Sequence, residues 1–407
     1  MLKIIVGSER VEMSQFQRGD SQFTFSTPYA APVAPQPPKR RVSVLGIAAL
    51  AMSSALVGGI IGASSMSISY VASTQPAPVV VNSVEQVNWV TGAASQAGPS
   101  VVTLSVDSSS NSGSGSGVIL TEDGYILTNA HVVTLGGQTD DASVAVRLFD
   151  GTVVPADLIG YDSVYDLAVI KVEAEGLKPI VFADSKDLNV GQNVVAIGAP
   201  LGLTSTVTEG IVSALNRTIQ VASSEVSDEP GLSFWTGVGE SISIQVIQTD
   251  AAINPGNSGG ALVDENGRLI GVNVAIATAG NGVSGSIGVG FAIPSNTAAR
   301  IATEIMETGV ATHGLLGAMV RNSFAADSSF SVGAYVEQVT EDGAANAAGI
   351  RSGDVVIEFA GERVTSSADL TALVRAQPAG AEVEVVVLRD GTNRSFTVTL
   401  GDAADLN

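Results

Sequence analysis

Three residues spread along this chain of 407 residues could together break an acyl bond. Ser258 sits in "INPGNSGGAL", where glycines crowd a single serine. Glycine loses more backbone freedom on folding than any other residue, so such a cluster marks a sharp bend or a close approach. A serine on that bend can present its hydroxyl, and the backbone N–H groups beside it, to a substrate. The hydroxyl becomes a strong nucleophile only when a base takes its proton. The chain has two histidines, His131 and His313, and no cysteine. A thiolate nucleophile, thiolate metal sites and disulfides are therefore excluded. His131 lies in "ILTNAHVV", read as the end of a strand. Asp166, in "YDLAVIKV", stands at the entrance of an apolar strand. There it can accept an imidazole N–H and stabilise the imidazolium formed when histidine takes the serine proton. Taken singly, these are a turn serine, a satisfied core histidine and a turn acid.

The elements that must position them are short strands. "GVILTEDGYILTNAHVV" reads as one hairpin, "VAVRLFDGTVVPADLIG" turns at Asp150 and Gly151, and "ALVDENGRLIGVNVAIA" turns at Asn266 and Gly267. Asp-Gly and Asn-Gly supply the positive φ that tight hairpins need. Repeated short strands without long intervening helices indicate an all-β barrel or sandwich between about residues 89 and 294. An amphipathic helix follows, starting at Pro294 and Ser295, with Ala298, Ile301, Ala302 and Ile305 on one face and Gly309 at its end. Beyond it lies a smaller unit with strands in "GAYVEQV", "DVVIEFAG" and "VEVVVLRDGTNRSFTVTL". A helix in "SSADLTALVRA" carries Leu370, Leu373 and Val374 on one side.

Order along the chain decides among serine mechanisms. "GNSGG" fits the G-x-S-x-G elbow of α/β-hydrolases, but that fold runs serine, acid, histidine and needs alternating helices. Only His313 follows Ser258, and it lies at the start of the second unit. His131, Asp166 and Ser258 on a β-barrel instead follow the order of chymotrypsin-like proteases. The segments "SGSGVIL", "GYILTNAHVV", "DLAVIKV", "VVAIGAPLGL", "TEGIVSAL", "IQTDAAINPGNSGGAL" and "GVGFAIPS" closely resemble the HtrA/Deg family of envelope serine proteases, over nearly all of residues 100–402. The resemblance implies an all-β double β-barrel (chymotrypsin-like) protease domain, then a small α+β PDZ domain. It places the triad on His131, Asp166 and Ser258 and the oxyanion hole on the loop of Gly256, Asn257 and Ser258.

The same resemblance locates specificity and control. The base of the S1 pocket maps near Ala252, with Ile253 and Val274 narrowing it. No acid stands there, so small or medium aliphatic residues are expected before the cleaved bond. Asp250 reads as a loop-stabilising carboxylate. Asn257 cannot pair with a freed N-terminus as an aspartate there would, so loop ordering is expected to control activity. The candidate loops begin at Arg217 ("RTIQVASSEVSDEPGLSFWTGVGES", to Ser241) and Ala277 ("ATAGNGVSGSIG"). Peptide C-termini are expected to bind at Leu315, Leu316, Gly317 and Ala318 of the PDZ domain, by backbone N–H groups and strand addition. His313, beside that loop, reads as ordinary surface. Family resemblance further implies misfolded protein substrates, a homotrimer, and no cofactor or metal. Two other readings stand beside the protease: a chaperone or PDZ adaptor with an idle catalytic unit, and an esterase using the same serine.

Composition sets the location and excludes one class of partner. The net charge is −21, which argues against nucleic acid, whose phosphates require a basic face. Residues 1–41 are polar and proline-containing, ending in "KRR", and read as a disordered cytoplasmic segment. Residues 42–72 form an apolar stretch with no charged residue, long enough to cross a bilayer as a single helix. The basic residues before it place its N-terminal end in the cytoplasm and the rest of the chain outside. The alternative is a cleaved secretion signal with its exit near residues 71–73. The expected organisation continues with a linker at 73–88, the protease domain at 89–298, a connecting helix and linker at 299–312, and the PDZ domain at 313–402. If 42–72 is retained as an anchor, the full chain stays in membranes through a carbonate wash. A mature protein starting near residue 73 would establish the cleaved signal instead.

Overall fold

The computed structural model describes residues 87–198, 206–222, 224, 241–274, 288–325 and 329–406. The apolar segment 42–72 lies outside them. Among the described residues no helix is long and apolar enough to cross a membrane.

After helix α1 (Trp89–Ala97), capped by the Asn88 side chain on Thr91 N–H, the chain winds two closed six-stranded barrels. The first contains β1 (Val101–Asp107), β2 (Ser112–Ile119), β3 (Tyr125–Thr128), β4 (Ser143–Arg147), β5 (Val153–Asp162) and β6 (Leu167–Val172), in the order β1-β2-β3-β6-β5-β4. The second contains β7 (Asn193–Gly198), β8 (Thr206–Ala222), β9 (Ser241–Thr249), β10 (Ala261–Val263), β11 (Leu269–Val274) and β12 (Gly290–Pro294), in the order β10-β11-β12-β9-β8-β7. All pairs are antiparallel, as short connections between successive strands require. Closure removes the unpaired edges that would otherwise template aggregation.

Each barrel has its own apolar interior. Val102, Leu104, Val106, Ile126, Val146 and Ile170 fill the first, and Val194, Ala196, Val212, Leu262 and Ile270 the second. A third cluster joins the barrels, because strands with one face inward turn their other face to the neighbouring barrel. It holds Leu127, Leu167 and Val169 from the first barrel, Ile244, Val246 and Val272 from the second, and Ala298, Ile301, Ala302 and Ile305 from helix α3 (Ser295–Thr308). The helix thus seals the seam with the face its sequence periodicity specifies, and Gly309 ends it. Its first residue is Ser295, inside the span read from sequence as protease domain.

Two sequence readings are corrected here. His131 does not end a strand: β3 stops at Thr128, and His131 lies in the short helix α2 (Ala130–Val133). The segment from Arg217 is not loop at its start, because β8 continues to Ala222 paired with β9. Most of the second candidate loop lies outside the described residues.

The smaller unit begins with β13 (Gly314–Leu315), paired to β20 (Gly401–Asp402). Its main sheet runs β14 (Ala318–Phe324), β15 (Ser331–Val339), β16 (Val355–Phe359), β18 (Glu382–Arg389), β19 (Thr392–Thr399), with β17 (Glu362–Arg363) paired to β16. Helices α4 (Ala344–Ala348) and α5 (Ser367–Ala376) complete an α+β unit whose core includes Leu370, Leu373 and Val374. Ser366 caps α5 by accepting from Asp369 N–H.

One buried carboxylate tests this unit. Asp354 is 1% exposed and receives two bonds from Arg389, Nε at 2.6 Å and a terminal nitrogen at 2.7 Å. Burial alone would raise its pKa, but the Arg389 bonds and the Arg351 N–H outweigh this and hold it below the usual 3.8. The stability this contributes is present above pH 3.8 and is lost as pH falls through the depressed value. Arg389→Ala strands a buried charge and is expected to lower stability at pH 7 by about 3 kcal/mol. Denaturant unfolding of the full chain measures it, and the gap between wild type and variant should shrink toward pH 3.

Candidate active site

The two barrels supply different halves of one site. Asp166 stands between β5 and β6 with φ of 53°, a left-handed conformation that non-glycine residues rarely adopt. Such strain persists only where neighbours over-determine it. Here the Asp166 carbonyl accepts from Ala130 N–H at 3.1 Å and the Asn129 side-chain amide at 2.8 Å. One carboxylate oxygen accepts from His131 N–H at 2.8 Å. The other lies 2.6 Å from His131 Nδ1. Both side chains are buried, at 2% and 1% exposure, so water does not screen the pair. With Nδ1–H donated to the carboxylate, the neutral ring carries its lone pair on Nε2, the form a general base needs.

The second barrel supplies the loop from Asn254 to Gly260. Asn257 N–H donates to Asn254 O, and Gly260 N–H to Asn257 O, which folds the loop into successive turns. Gly256 has φ of 98° and Gly259 φ of 79°, where a side chain would be strained. At Gly259 the constraint is also spatial. A Cβ there would lie 2.2 Å from Ser116 O and 2.4 Å from Thr128 Oγ1. The glycine cluster therefore answers to a close approach between barrels.

Ser116, on β2 of the first barrel, makes that approach specific. Its N–H donates to Ser258 O at 2.8 Å, its hydroxyl donates to Gly256 O at 2.7 Å, and its carbonyl accepts from Thr128 Oγ1 at 2.7 Å. Sequence reasoning used Ser116 only as part of a matching motif and gave it no role. A small residue amid alternating glycines in "SGSGSG" carries no periodic signal that distinguishes it.

His131, Gly256 and Ser258 share one cleft of about 250 Å³, walled on the β2 side by Ser112, Gly113 and Ser114. Ser258 and Asn257 are 2% and 1% exposed. The residues read as an S1 pocket come from the second barrel. Ile253 packs in the second barrel's interior, whereas Val274 belongs to the cluster under α3. Ala252 turns its carbonyl to Thr208 Oγ1 and the Asn257 amide. Asp250 accepts from Ile211 N–H at 2.7 Å, a loop-stabilising bond. Among the described residues no group of three or more His, Asp or Glu is arranged to hold a metal.

In the smaller unit Leu315 pairs in strand with Gly401, and Leu316 is buried in the core. The carbonyls of Leu316 and Gly317 are taken by Ala345 N–H and Thr340 N–H, and Ala318 opens β14 at the sheet edge. His313 is not surface. It is 6% exposed and bonded on both ring nitrogens.

Comparisons with known proteins agree with this layout. A model of the trypsin-like peptidase domain matches residues 115–272, and one of the PDZ domain matches residues 285–400. The chain is 43% identical over 332 residues to the serine protease PepD of Mycobacterium tuberculosis, across 79% of this chain and 66% of that protein. It is 40% identical over 298 residues to a probable periplasmic serine endoprotease, DegP-like, of Halomonas elongata, across 72% of this chain and 57% of that protein. The match thus spans 57 to 66% of the length of these two relatives. Among solved structures, an HtrA-type protease AlgW with tripeptide superposes with TM-score 0.57 at 35% identity, covering 77% of this chain and 97% of that one. The serine endoprotease from Yersinia pestis gives 0.51 at 31%, covering 79% and 99%.

The Ser116 hydroxyl can be tested directly. Ser116→Ala leaves the Gly256 carbonyl without its buried donor, at a cost of about 1–3 kcal/mol. Because that carbonyl fixes the loop beside Ser258, the expected loss is roughly tenfold in kcat on a chromogenic peptide, with KM little changed.

Proposed function

The chain belongs to the family of HtrA-type serine proteases, and from that membership we propose that it is a membrane-tethered serine endopeptidase degrading misfolded or damaged proteins outside the cytoplasm. The observation that carries the chemistry is the buried His131–Asp166 pair at 2.6 Å, opening on the same cleft as Ser258. Ser258 Oγ attacks the scissile carbonyl while His131 Nε2 takes its proton. Asp166 holds the ring in the required tautomer and stabilises the imidazolium, which then protonates the leaving amine. Backbone N–H groups of Gly256 and Ser258, with Asn257 between them, stabilise the oxyanion. Each such donor contributes about 3 kcal/mol to the transition state. Water repeats the sequence on the acyl-enzyme and frees Ser258.

Cleavage after small or medium aliphatic residues is proposed from Ala252, Ile253 and Val274, since none of these carries an acid to select lysine or arginine. The PDZ unit is proposed to take peptide C-termini at Leu315, Leu316, Gly317 and Ala318. The inward-turned carbonyls of Leu316 and Gly317 support this, because the loop's acceptors are already committed within the domain. Peptide occupancy would regulate the protease only through tighter binding to its active arrangement. The extracytoplasmic setting is supported by relatives described as periplasmic, and the tether is proposed from the apolar segment 42–72. A homotrimer is proposed by family analogy alone.

Casein cleavage by the full chain tests the chemistry. Ser258→Ala and His131→Ala are each expected to lose roughly 10⁴-fold or more in rate while keeping the wild-type fold, because triad members act as a unit. Substantial cleavage by Ser258→Ala would overturn the mechanism.

A further inference from the structure

A second buried histidine–aspartate pair lies beside the first. His313 Nε2 is 2.9 Å from Asp162 Oδ1, and the two side chains are 7% and 5% exposed. Asp162 ends β5 in the protease unit, whereas His313 directly precedes β13 of the PDZ unit. His313 Nδ1 lies 2.8 Å from the carbonyl of Arg375, near the end of α5. A carbonyl can only accept. Both oxygens of Asp162 also receive backbone N–H bonds, from Val164 at 3.0 Å and Tyr165 at 3.2 Å, so the acid is engaged as a carboxylate. With acceptors facing both ring nitrogens, the ring carries two protons and is an imidazolium.

The bonds from Val164 and Tyr165 make Asp162 the cap of the turn that delivers Asp166. Tyr165, the residue before Asp166, is fully buried, and its hydroxyl donates to Ala372 O of α5 at 3.1 Å. Its ring stacks on His313 with centroids 6.0 Å apart. The turn is therefore gripped by α5 at two points, through Tyr165 directly and through His313 and Asp162. Asp166 follows in its left-handed conformation.

We propose that His313 and Asp162 are positioning residues for the catalytic site: the His313 imidazolium holds Asp162, and the turn Asp162 caps holds Asp166 in the conformation that aims it at His131. This rests on the reading of His131, Asp166 and Ser258 as the triad. His313 contacts no reacting atom and has both ring nitrogens occupied, so its role is geometric. The PDZ unit thereby contributes to catalysis before any peptide binds it.

The charge makes the clamp sensitive to pH. The charged groups acting on His313 are Asp162 from β5 and Arg300 from α3, while Arg375 of α5 meets the ring through its main-chain carbonyl. Burial alone would lower the ring's pKa and Arg300 lowers it further, but Asp162 and the Arg375 carbonyl outweigh them and raise it above 6.5. The clamp is complete below 6.5 and is lost as pH rises through the raised value. Tyr165 stays neutral throughout, since burial pushes its phenol up.

The test uses the full chain, wild type and His313→Gln, on a chromogenic peptide without PDZ ligand. Gln keeps a donor but cannot carry the charge. In wild type, kcat should fall along an alkaline limb with KM steady. In the variant kcat should be lower by roughly tenfold at pH 7, and that limb should be absent, because partial misorientation of one triad member removes part of its contribution. An unchanged kcat with the same alkaline limb overturns the proposal. Hydrogen exchange at residues 163–166 of wild type provides the second measurement, independent of catalysis and of the variant's folding. Exchange should accelerate as the His313 ring, followed by its NMR shifts, loses its proton, and exchange indifferent to that titration also overturns the proposal. Failure of the triad reading is seen separately, as activity surviving in Ser258→Ala.

Discussion

A side chain at residue 259 has nowhere to go. The space a Cβ would fill is held by the Ser116 carbonyl and the Thr128 hydroxyl, and the backbone there is left-handed. Because the two barrels meet so closely, the Ser116 N–H and hydroxyl can reach the carbonyls of Ser258 and Gly256 across the seam. The loop that carries Ser258 is thereby built onto a strand of the opposite barrel. His131 is fixed to that same barrel, since α2 follows β3 and Thr128 ends β3. Widening the seam would separate Ser258 from His131 without breaking either barrel. The apolar cluster beneath α3, drawn from both barrels, opposes that widening over a much larger area than the hydrogen bonds.

The features legible in the sequence are those with a local cause. Asp150 with Gly151 and Asn266 with Gly267 mark turns because positive φ is a property of the residue itself, and Gly151 and Gly267 adopt it. The face of α3 follows from a spacing of three and four along one helix. The order of His131, Asp166 and Ser258 selects one mechanism because the chain offers so few histidines. Ser116 and His313 escaped because their partners are remote in sequence. Ser116 finds Gly256 140 residues away, and His313 finds Asp162 151 residues away. No window along the chain contains either relation. The apolar residues on both sides of "TNAH" suggest a continuing strand, while the bond from the His131 N–H to Asp166 stabilises a helical turn.

The two histidine–aspartate pairs show how little of a residue's role lies in its pairing. Each is buried and each bond is short. What differs is where each ring sits. His131 lines the cleft shared with Ser258. His313 meets a main-chain carbonyl with its other ring nitrogen, and the ring becomes a fixed charge between two units. A carboxylate partner orients either imidazole, but only the ring that lines the cleft is placed to take part in chemistry there.

The strand order of the second barrel also fixes when the site can be completed. That barrel closes by pairing β7 with β10, and β12 must lie between β11 and β9 before the ring is complete. Such distant pairings form late, after the loops between them have paid their closure entropy. During synthesis, β1 to β6 can pair as the first barrel while Ser258 still belongs to an unclosed sheet, and the contacts of Asp162 and Tyr165 with His313 and α5 form later still. The loop carrying Ser258 therefore takes its final place only once residues near Pro294 are available to close the second barrel. The complete site therefore comes together last, after both barrels and α5 are in place.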